Sequence, residues 1–333
     1  MAGKIDLSII IVNYNTKDFL KKCLKSVARS EEIGVRSRES GVGSREIGVR
    51  SKEIIVIDNN STDGTIEMLK ELQTQNSELR TIFSQSNLGF AKANNLAIKK
   101  SSGRYILFLN PDTIVQEDTL KTMVKFMDEN PKVGAATCRV ELTDGHLDQA
   151  CHRGFPTAWN AFCYFSGLEK LFPKSKVFAR YSLTFLPLDK IHEIDAGCGA
   201  FLLVRKEAGE QVGWFDEDYF WYGEDLDFCY RLKQKGWKIM FVPTTKIIHW
   251  KGAASGILKH SQKISPATKQ TRIKAAKASV KVMRIFFQKH YQDKYPKIIY
   301  WSVMLGIKLM EKIRLAKIRT SPSARTLFFE DSK

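Results

Sequence analysis

Three apolar runs, each closing on a cluster of oxygen-bearing side chains, constrain this chain more than any other feature. "LSIIIVNYNT" (7–16), "EIIVIDNNSTDGT" (53–65) and "ILFLNPDT" (106–113) each hold four consecutive large apolar residues. Unbroken runs of that length read as strands buried on both faces, the habit of parallel sheets. Helical spacing follows the first of them, with Phe19, Leu20, Cys23, Leu24 and Val27 over 17–28 and Thr16 as the predicted N-cap. Residues 65–74 and 90–100 read as further helices and "LRTIFS" (79–84) as a third strand. Strands alternating with helices of about ten residues predict an α/β fold, a mostly parallel Rossmann-like sheet flanked by helices. The three polar loops then share one sheet edge, beyond the carboxyl ends of the strands, where such sheets bind ligands.

Asn110-Pro111-Asp112 is the most informative of these loops. Pro111 donates nothing to a ladder and pushes Asn110 out of the helical region, so pairing stops and the flanking side chains are held in set directions. Two readings stand at this point: an Asx-type turn that needs no ligand, or a ligand-facing pair.

The formal charge of +17 suggests nucleic acid until its distribution is examined. Residues 251–333 carry 19 Lys and Arg against 4 Asp and Glu, a net +15, which leaves +2 for the first 250. A nearly neutral body with a basic tail is not the footprint of a nucleic-acid binder, and no nucleic-acid partner is expected. The six cysteines show no C-x-x-C pair and no metal-ligand spacing, which points to a reducing, cytoplasmic compartment. No leader pattern and no uncharged run of about 18 apolar residues is present, so neither a signal peptide nor a spanning helix is expected.

Residues 32–52 repeat a seven-residue unit three times, "EIGVRSR", "ESGVGSR" and "EIGVRSK". Its apolar residues lie two apart and glycine recurs, which excludes a coiled coil and predicts a surface insertion over 31–52, mobile or a small hairpin, without chemistry of its own. Periodicity is weak over 146–194. It returns with "AGCGAFLLV" (196–204), a short helix to about 212, an aromatic segment (213–228) leading into a helix that ends near Gly236, and two short strands around Pro243 within 237–250. Residues 266–290 and 296–319 both read as helices.

Six motifs in this order, "SIIIVNYNT", "EIIVIDNNSTDGT", "NLGFAKANNLAI", "GRYILFLNPDT", "GEDLDFCYR" and "VPTTKIIHWKGAAS", resemble the inverting family 2 glycosyltransferases of the GT-A fold. The "NPDT" form is most similar to the bacterial rhamnosyltransferase branch. The resemblance covers roughly residues 5–255, which implies a GT-A domain over 1–255 and a basic helical region over 256–333. It implies a nucleoside diphosphate sugar donor, with dTDP-rhamnose suggested, and a divalent cation, Mg²⁺ or Mn²⁺, bridging the donor phosphates. Asp112 is the implied metal ligand. Asn110 stands where the family's Asp-x-Asp motif has its first carboxylate and offers only a neutral oxygen. His249 resembles a further ligand, although taken alone it reads as a hydrogen-bonded residue at a strand end.

By the same resemblance Asp225 is the base that takes the acceptor's proton, Glu224 orients the acceptor or its loop, and Asp227 is structural. Acidic residues also suit the first turn of a helix for its dipole alone. Asn13, Tyr14 and Asn15 are implied beside the base and ribose of the nucleotide, with Asp58 accepting from the base and Asn87, Gly89 and Asn94 completing the pocket. Among Trp214, Phe215, Tyr219, Phe220, Trp221 and Tyr222, one or two are expected at the acceptor and the rest in the core. The basic tail fits either an amphipathic helix on an anionic membrane, serving a saccharide or lipid-linked saccharide acceptor on the cytoplasmic face of the inner membrane, or a helical subdomain packed on the body. A nucleotidyltransferase would need a glycine- and arginine-rich loop after the first strand, where this chain has "NYNT". A non-catalytic basic binding protein leaves the acidic groups after separate strands unexplained.

Overall fold

The computed structural model describes residues 5–30, 49, 51–252 and 269–320. The elements are β1 (Leu7–Asn13), α1 (Lys17–Arg29), β2 (Lys52–Asp58), α2 (Thr65–Gln75), β3 (Leu79–Phe83), α3 (Phe90–Ile98) and β4 (Tyr105–Leu109). They continue with β5 (Thr113–Val115), α4 (Thr119–Glu129), β6 (Val133–Leu142), α5 (Ala158–Ser166), α6 (Leu168–Leu171), β7 (His192–Glu193), β8 (Phe201–Arg205) and α7 (Lys206–Val212). The chain then forms α8 (Glu224–Gln234), β9 (Lys238–His249), α9 (Lys269–Tyr291) and α10 (Lys297–Thr320).

One sheet joins the described strands in the order β3-β2-β1-β4-β8-β6-β9-β5, with β7 on β9. Every residue of β1, β2 and β4 is buried, as their apolar runs require. The pairings from β3 through β2 and β1 to β4 are parallel. Beyond β4 the sheet is mixed: β8 runs antiparallel to both β4 and β6, while β6 and β9 are parallel. The order places β2 and β3 on one side of β1 and β4 on the other. That reversal opens a crevice between the carboxyl ends of β1 and β4, the usual ligand position of such sheets.

Several local expectations are revised. Residues 238–249 form one strand rather than two. Its register against β6 slips between Val242 and Lys246, the stretch that contains Pro243, which has no N–H to pair. Thr16 occupies the N-cap of α1 but does not cap with its side chain. Its hydroxyl donates to Asn13 Oδ1 at 2.6 Å, and the first helical N–H, on Lys17, goes to Asp63 Oδ2 at 2.9 Å. Most of the repeat lies outside the described residues, and its last residue, Lys52, opens β2. Within 146–194 the chain forms α5, α6, β7 and irregular turns.

The two tail helices form where their spacing predicts. α9 packs on the body through buried Phe286, Phe287 and Tyr291, which join the main hydrophobic core. His290 Nε2 lies 2.6 Å from Asp227 Oδ1, and Arg231 Nε donates to Asp227 Oδ2 at 2.7 Å, which gives that carboxylate a structural role. The outer face of α10 is uncovered by the other described residues. Ile298, Trp301, Leu305, Leu309 and Ile313, spaced at three or four residues, are 48–77% exposed.

Candidate active site

The crevice at the switch point is a cleft of about 680 Å³, and Asp112, Asp225 and His249 all line it. Asp112 and His249 are brought together by β5, the three-residue strand that follows Asn110-Pro111-Asp112. β5 pairs with the end of β9 so that Thr113 faces His249, and the Trp250 N–H donates to the Asp112 carbonyl at 2.9 Å. Asp112 Oδ1 then lies 3.2 Å from His249 Nε2, and Asn110 Nδ2 3.4 Å from the same nitrogen. On the far side of the ring, Nδ1 lies 3.1 Å from Asp148 Oδ2, whose other oxygen accepts from Lys251.

Burial by itself would favour a neutral His249, but the carboxylates of Asp112 and Asp148 outweigh it and raise its pKa to about 9. Asp148 loses water too, yet His249 and Lys251 hold its carboxyl well below the ordinary range. A buried imidazole oriented by a carboxylate on one nitrogen, with a second carboxylate beside the other, is the arrangement of a histidine metal ligand. His249 Nε2 and the Asp112 carboxylate are the groups that would hold a divalent cation. Among the described residues no cluster of three or more His, Cys, Asp or Glu side chains forms a metal site. One carboxylate, one imidazole and the neighbouring Asn110 side chain fit a cation that takes its remaining ligands from phosphate and water, as Mg²⁺ and Mn²⁺ do.

The other wall is the start of α8. Gly223 at the N-cap has φ +82°, and Glu224 and Asp225 follow in the first turn. Asp225 Oδ1 accepts from Arg153 Nη2 at 2.9 Å, and Oδ2 accepts from the Gly199 N–H at 3.2 Å. Glu224 is buried, and its Oε2 has no hydrogen-bond partner among the described residues. Burial, then the charge of Asp225, raise its pKa above the ordinary carboxylate range. Two adjacent carboxyl groups in one environment thus have opposed situations: Asp225 is ion-paired, and Glu224 is driven toward its neutral form.

The nucleotide residues divide into two layers. Tyr14, Asn87 and Gly89 line the cleft. Gly89 has φ +79°, and a Cβ there would stand 2.6 Å from the Phe220 carbonyl, so only glycine fits this approach. Asn13, Asn15, Asp58 and Asn94 lie behind the wall. Asp58 is fully buried, and its oxygens accept from Asn13 Nδ2 at 3.2 Å and from the Ser61 N–H at 2.8 Å. Asn15 Oδ1 accepts from the Thr62 N–H at 2.7 Å, and Asn94 Nδ2 donates to the Phe90 carbonyl at 2.9 Å. Asn13, Asn15 and Asp58 tie the loops after β1 and β2 together, while Asn94 bonds within α3 and keeps a buried Oδ1 without a partner among the described residues.

Phe220, Trp221 and Tyr222 line the cleft, while Trp214, Phe215 and Tyr219 pack inside, with Phe215 4.5 Å from the ring of Phe108. Sequence reasoning missed Asn59, Asp148, Arg153 and Arg314. Asn59 sits inside a recognised motif and was within reach. Asp148 and Arg153 fall in the unpatterned stretch, and Arg314 in a helix read for its charge alone.

A cleft at the switch point of an α/β sheet, with a carboxylate and imidazole on one side and an ion-paired aspartate at a helix start, belongs to a group-transfer enzyme. The chain is a member of glycosyl transferase family 2, whose model matches residues 8–185, and it is a glycosyltransferase. A second model, glycosyl transferase family group 2, matches residues 105–272. The chain is similar to the rhamnosyltransferase WbbL of Escherichia coli K12, 28% identical over 251 residues that cover 73% of this chain and 82% of that protein. It is 24% identical over 261 residues to the N-acetylglucosaminyl-diphospho-decaprenol L-rhamnosyltransferase of Mycobacterium tuberculosis H37Rv, covering 75% of this chain and 78% of that one. The fold is shared with the mannosyltransferase PcManGT from Pyrobaculum calidifontis, solved with GDP-Man and Mn²⁺, at a TM-score of 0.55 and 15% identity over 99% of this chain and 80% of that chain.

The situation of Glu224 has a measurable consequence. A carboxyl that holds its proton more tightly folded than unfolded contributes most below its unfolded value near 4.5 and costs stability as pH rises above it. Glu224→Gln is expected to stabilise the protein at pH 8 by roughly 1–3 kcal/mol and by much less at pH 5, measured by denaturant unfolding at both pH values.

Proposed function

We propose that the protein is a metal-assisted inverting transferase that moves rhamnose from dTDP-rhamnose to a lipid-linked saccharide during cell-surface polysaccharide synthesis. The observation that carries this reading is that Asp112, His249 and Asp225, from three distant parts of the chain, line one cleft. The relatives support the sugar and the acceptor class, since both are named as rhamnosyltransferases and one as acting on a diphospho-decaprenol saccharide.

Donor binding falls to Tyr14, Asn59, Asn87 and Gly89 at the nucleotide end, with the diphosphate toward Asp112 and His249. A divalent cation held there, Mg²⁺ or Mn²⁺, would offset the charge that develops on the leaving diphosphate. Asp225 is the base. Arg153 and the Gly199 N–H orient its carboxylate, which takes the proton from the acceptor hydroxyl as that oxygen attacks the anomeric carbon on the face opposite the diphosphate. The donor carries its own leaving group, so a single displacement inverts the centre. Glu224, with one oxygen unpartnered, is placed to donate to or accept from an acceptor hydroxyl.

The enzyme works at the cytoplasmic face of the membrane. No helix among the described residues is long and apolar enough to cross a bilayer. The exposed stripe of α10, flanked by Lys297, Lys308 and Lys312, suits a helix lying in an anionic surface.

Three measurements test these assignments. Asp225→Asn is expected to lower the rate of sugar transfer by about 10²–10⁴-fold while nucleotide-sugar binding persists; unchanged initial rates would remove Asp225 as the base. Thermal protection by dTDP-rhamnose is expected to be larger with Mg²⁺ or Mn²⁺ than with chelator, and Asp112→Asn is expected to erase that difference. In flotation with phosphatidylglycerol vesicles, the Trp301→Glu/Leu305→Glu double variant is expected to bind at least about tenfold less than the parent chain; equal recovery would refute the membrane contact.

A further inference from the structure

The inner face of the α9–α10 hairpin forms part of the cleft wall, through Ala276 and Ser279 of α9 and Arg314 of α10. At 100° per residue, Arg314 lies on the side of α10 opposite the exposed Ile298–Ile313 stripe. The one helix therefore carries an apolar face outward and a guanidinium inward. Arg314 Nη1 donates to Ser279 Oγ at 2.7 Å. Burial lowers its pKa and Tyr164 of α5 raises it, with no carboxylate contributing among the described residues. Arg272, seven residues before Ser279 on the same face of α9, has its Nε buried without a hydrogen-bond partner among those residues. Half-buried guanidinium groups lacking a carboxylate are suited to an anion that arrives from outside, and their planar donor fork matches phosphate oxygens.

Two phosphate sources exist at such a site, the donor and the acceptor. The donor diphosphate has its own place at the ends of β4 and β9. Arg314, by contrast, stands where α10 meets α5, and both elements present apolar side chains outward. Trp159, Phe162, Phe165, Leu171 and Phe172 of the α5–α6 segment are 45–69% exposed. Tyr164, on the same short helix as three of these, adjoins Arg314. The Tyr295 hydroxyl, between α9 and α10, accepts from the Ala158 N–H at 3.3 Å and links the start of α5 to the turn of the hairpin.

We propose that Arg314, backed by Ser279, binds the phosphate of a membrane-anchored acceptor and so selects acceptors whose saccharide is joined to lipid through phosphate. The proposal rests on the transferase reading of the cleft and adds the residue that recognises the phosphate of its second substrate. Arg314 acts on acceptor affinity and position; Asp225 does the proton transfer. A lipid held by its apolar chain outside α10 and by its phosphate at Arg314 would deliver its saccharide to Asp225 without leaving the membrane.

The test uses a soluble probe, butyl diphosphate, titrated calorimetrically into the full chain alone and after saturation with Mg²⁺ and dTDP. The parent protein is expected to bind it in both conditions. Arg314→Ala is expected to weaken that binding at least about tenfold, Arg314→Lys to an intermediate degree, and neither to alter dTDP affinity by more than about twofold. A matching loss for saccharide transfer should appear as a raised KM for a diphosphate-linked acceptor and not for the same saccharide on a neutral alkyl chain. Equal binding of butyl diphosphate by Arg314→Ala and parent would overturn the proposal. So would a loss of dTDP affinity as large as the loss of butyl diphosphate, which would assign the guanidinium to the donor. Parent protein that binds butyl diphosphate but no dTDP would overturn the donor assignment and leave the phosphate site standing.

Discussion

The buried imidazole of His249, held between Asp112 and Asp148, is the interaction on which the rest of the site depends. A histidine with almost no water contact is costly to charge, and only two carboxylates on opposite edges of the ring reverse that cost. The same geometry fixes the ring's direction. It also requires β5, since without the Thr113 to His249 register Asp112 would hang from an unpaired loop. Three residues of strand, which add little to the sheet's stability, thus set the chemistry of its open edge.

The opposite wall shows how one helix start supports two roles. Glu224 and Asp225 share the same turn, yet the ion pair with Arg153 belongs to Asp225 alone. Glu224 Oε2 is buried with no hydrogen-bond partner among the described residues, which sets it apart from its ion-paired neighbour. Asp227, two residues on, is anchored by Arg231 and His290 and belongs to the packing of α9. Three neighbouring acids accordingly stand in three situations, ion-paired, holding one oxygen without a partner among the described residues, and anchored to α9, separated by what each one faces.

The C-terminal helices unite features that separate explanations would divide. α9 is integral to the core, α10 turns an apolar stripe outward, and the inner surface of the pair completes the cleft. Among the described residues the basic tail's charges reach the body as well as solvent: Lys289 pairs with Asp216 and Asp218, Arg284 with Glu311, and Arg314 lines the cleft.

The periodic features were legible in the sequence because they are local. Four-residue apolar runs specify β1, β2 and β4 through burial on both faces, and helical spacing specifies α1, α2, α3, α9 and α10. Since parallel strands must carry their loops to a common edge, the site's place in the fold was determined too. The identities of Asp112, His249, Glu224 and Asp225 came from motif resemblance, and the structure brings them to one cleft. What the sequence could not determine were the partners, because a side chain's partner depends on register and packing across long separations. Asp58 is named by its motif, but only the structure shows that its oxygens accept from Asn13 and the Ser61 N–H. Asp148 and Arg153 look like nothing, since their stretch has no periodicity, until tertiary packing sets one against His249 and the other against Asp225. Local pattern decides what a segment becomes; only the closed structure decides which charges share a space from which water is excluded.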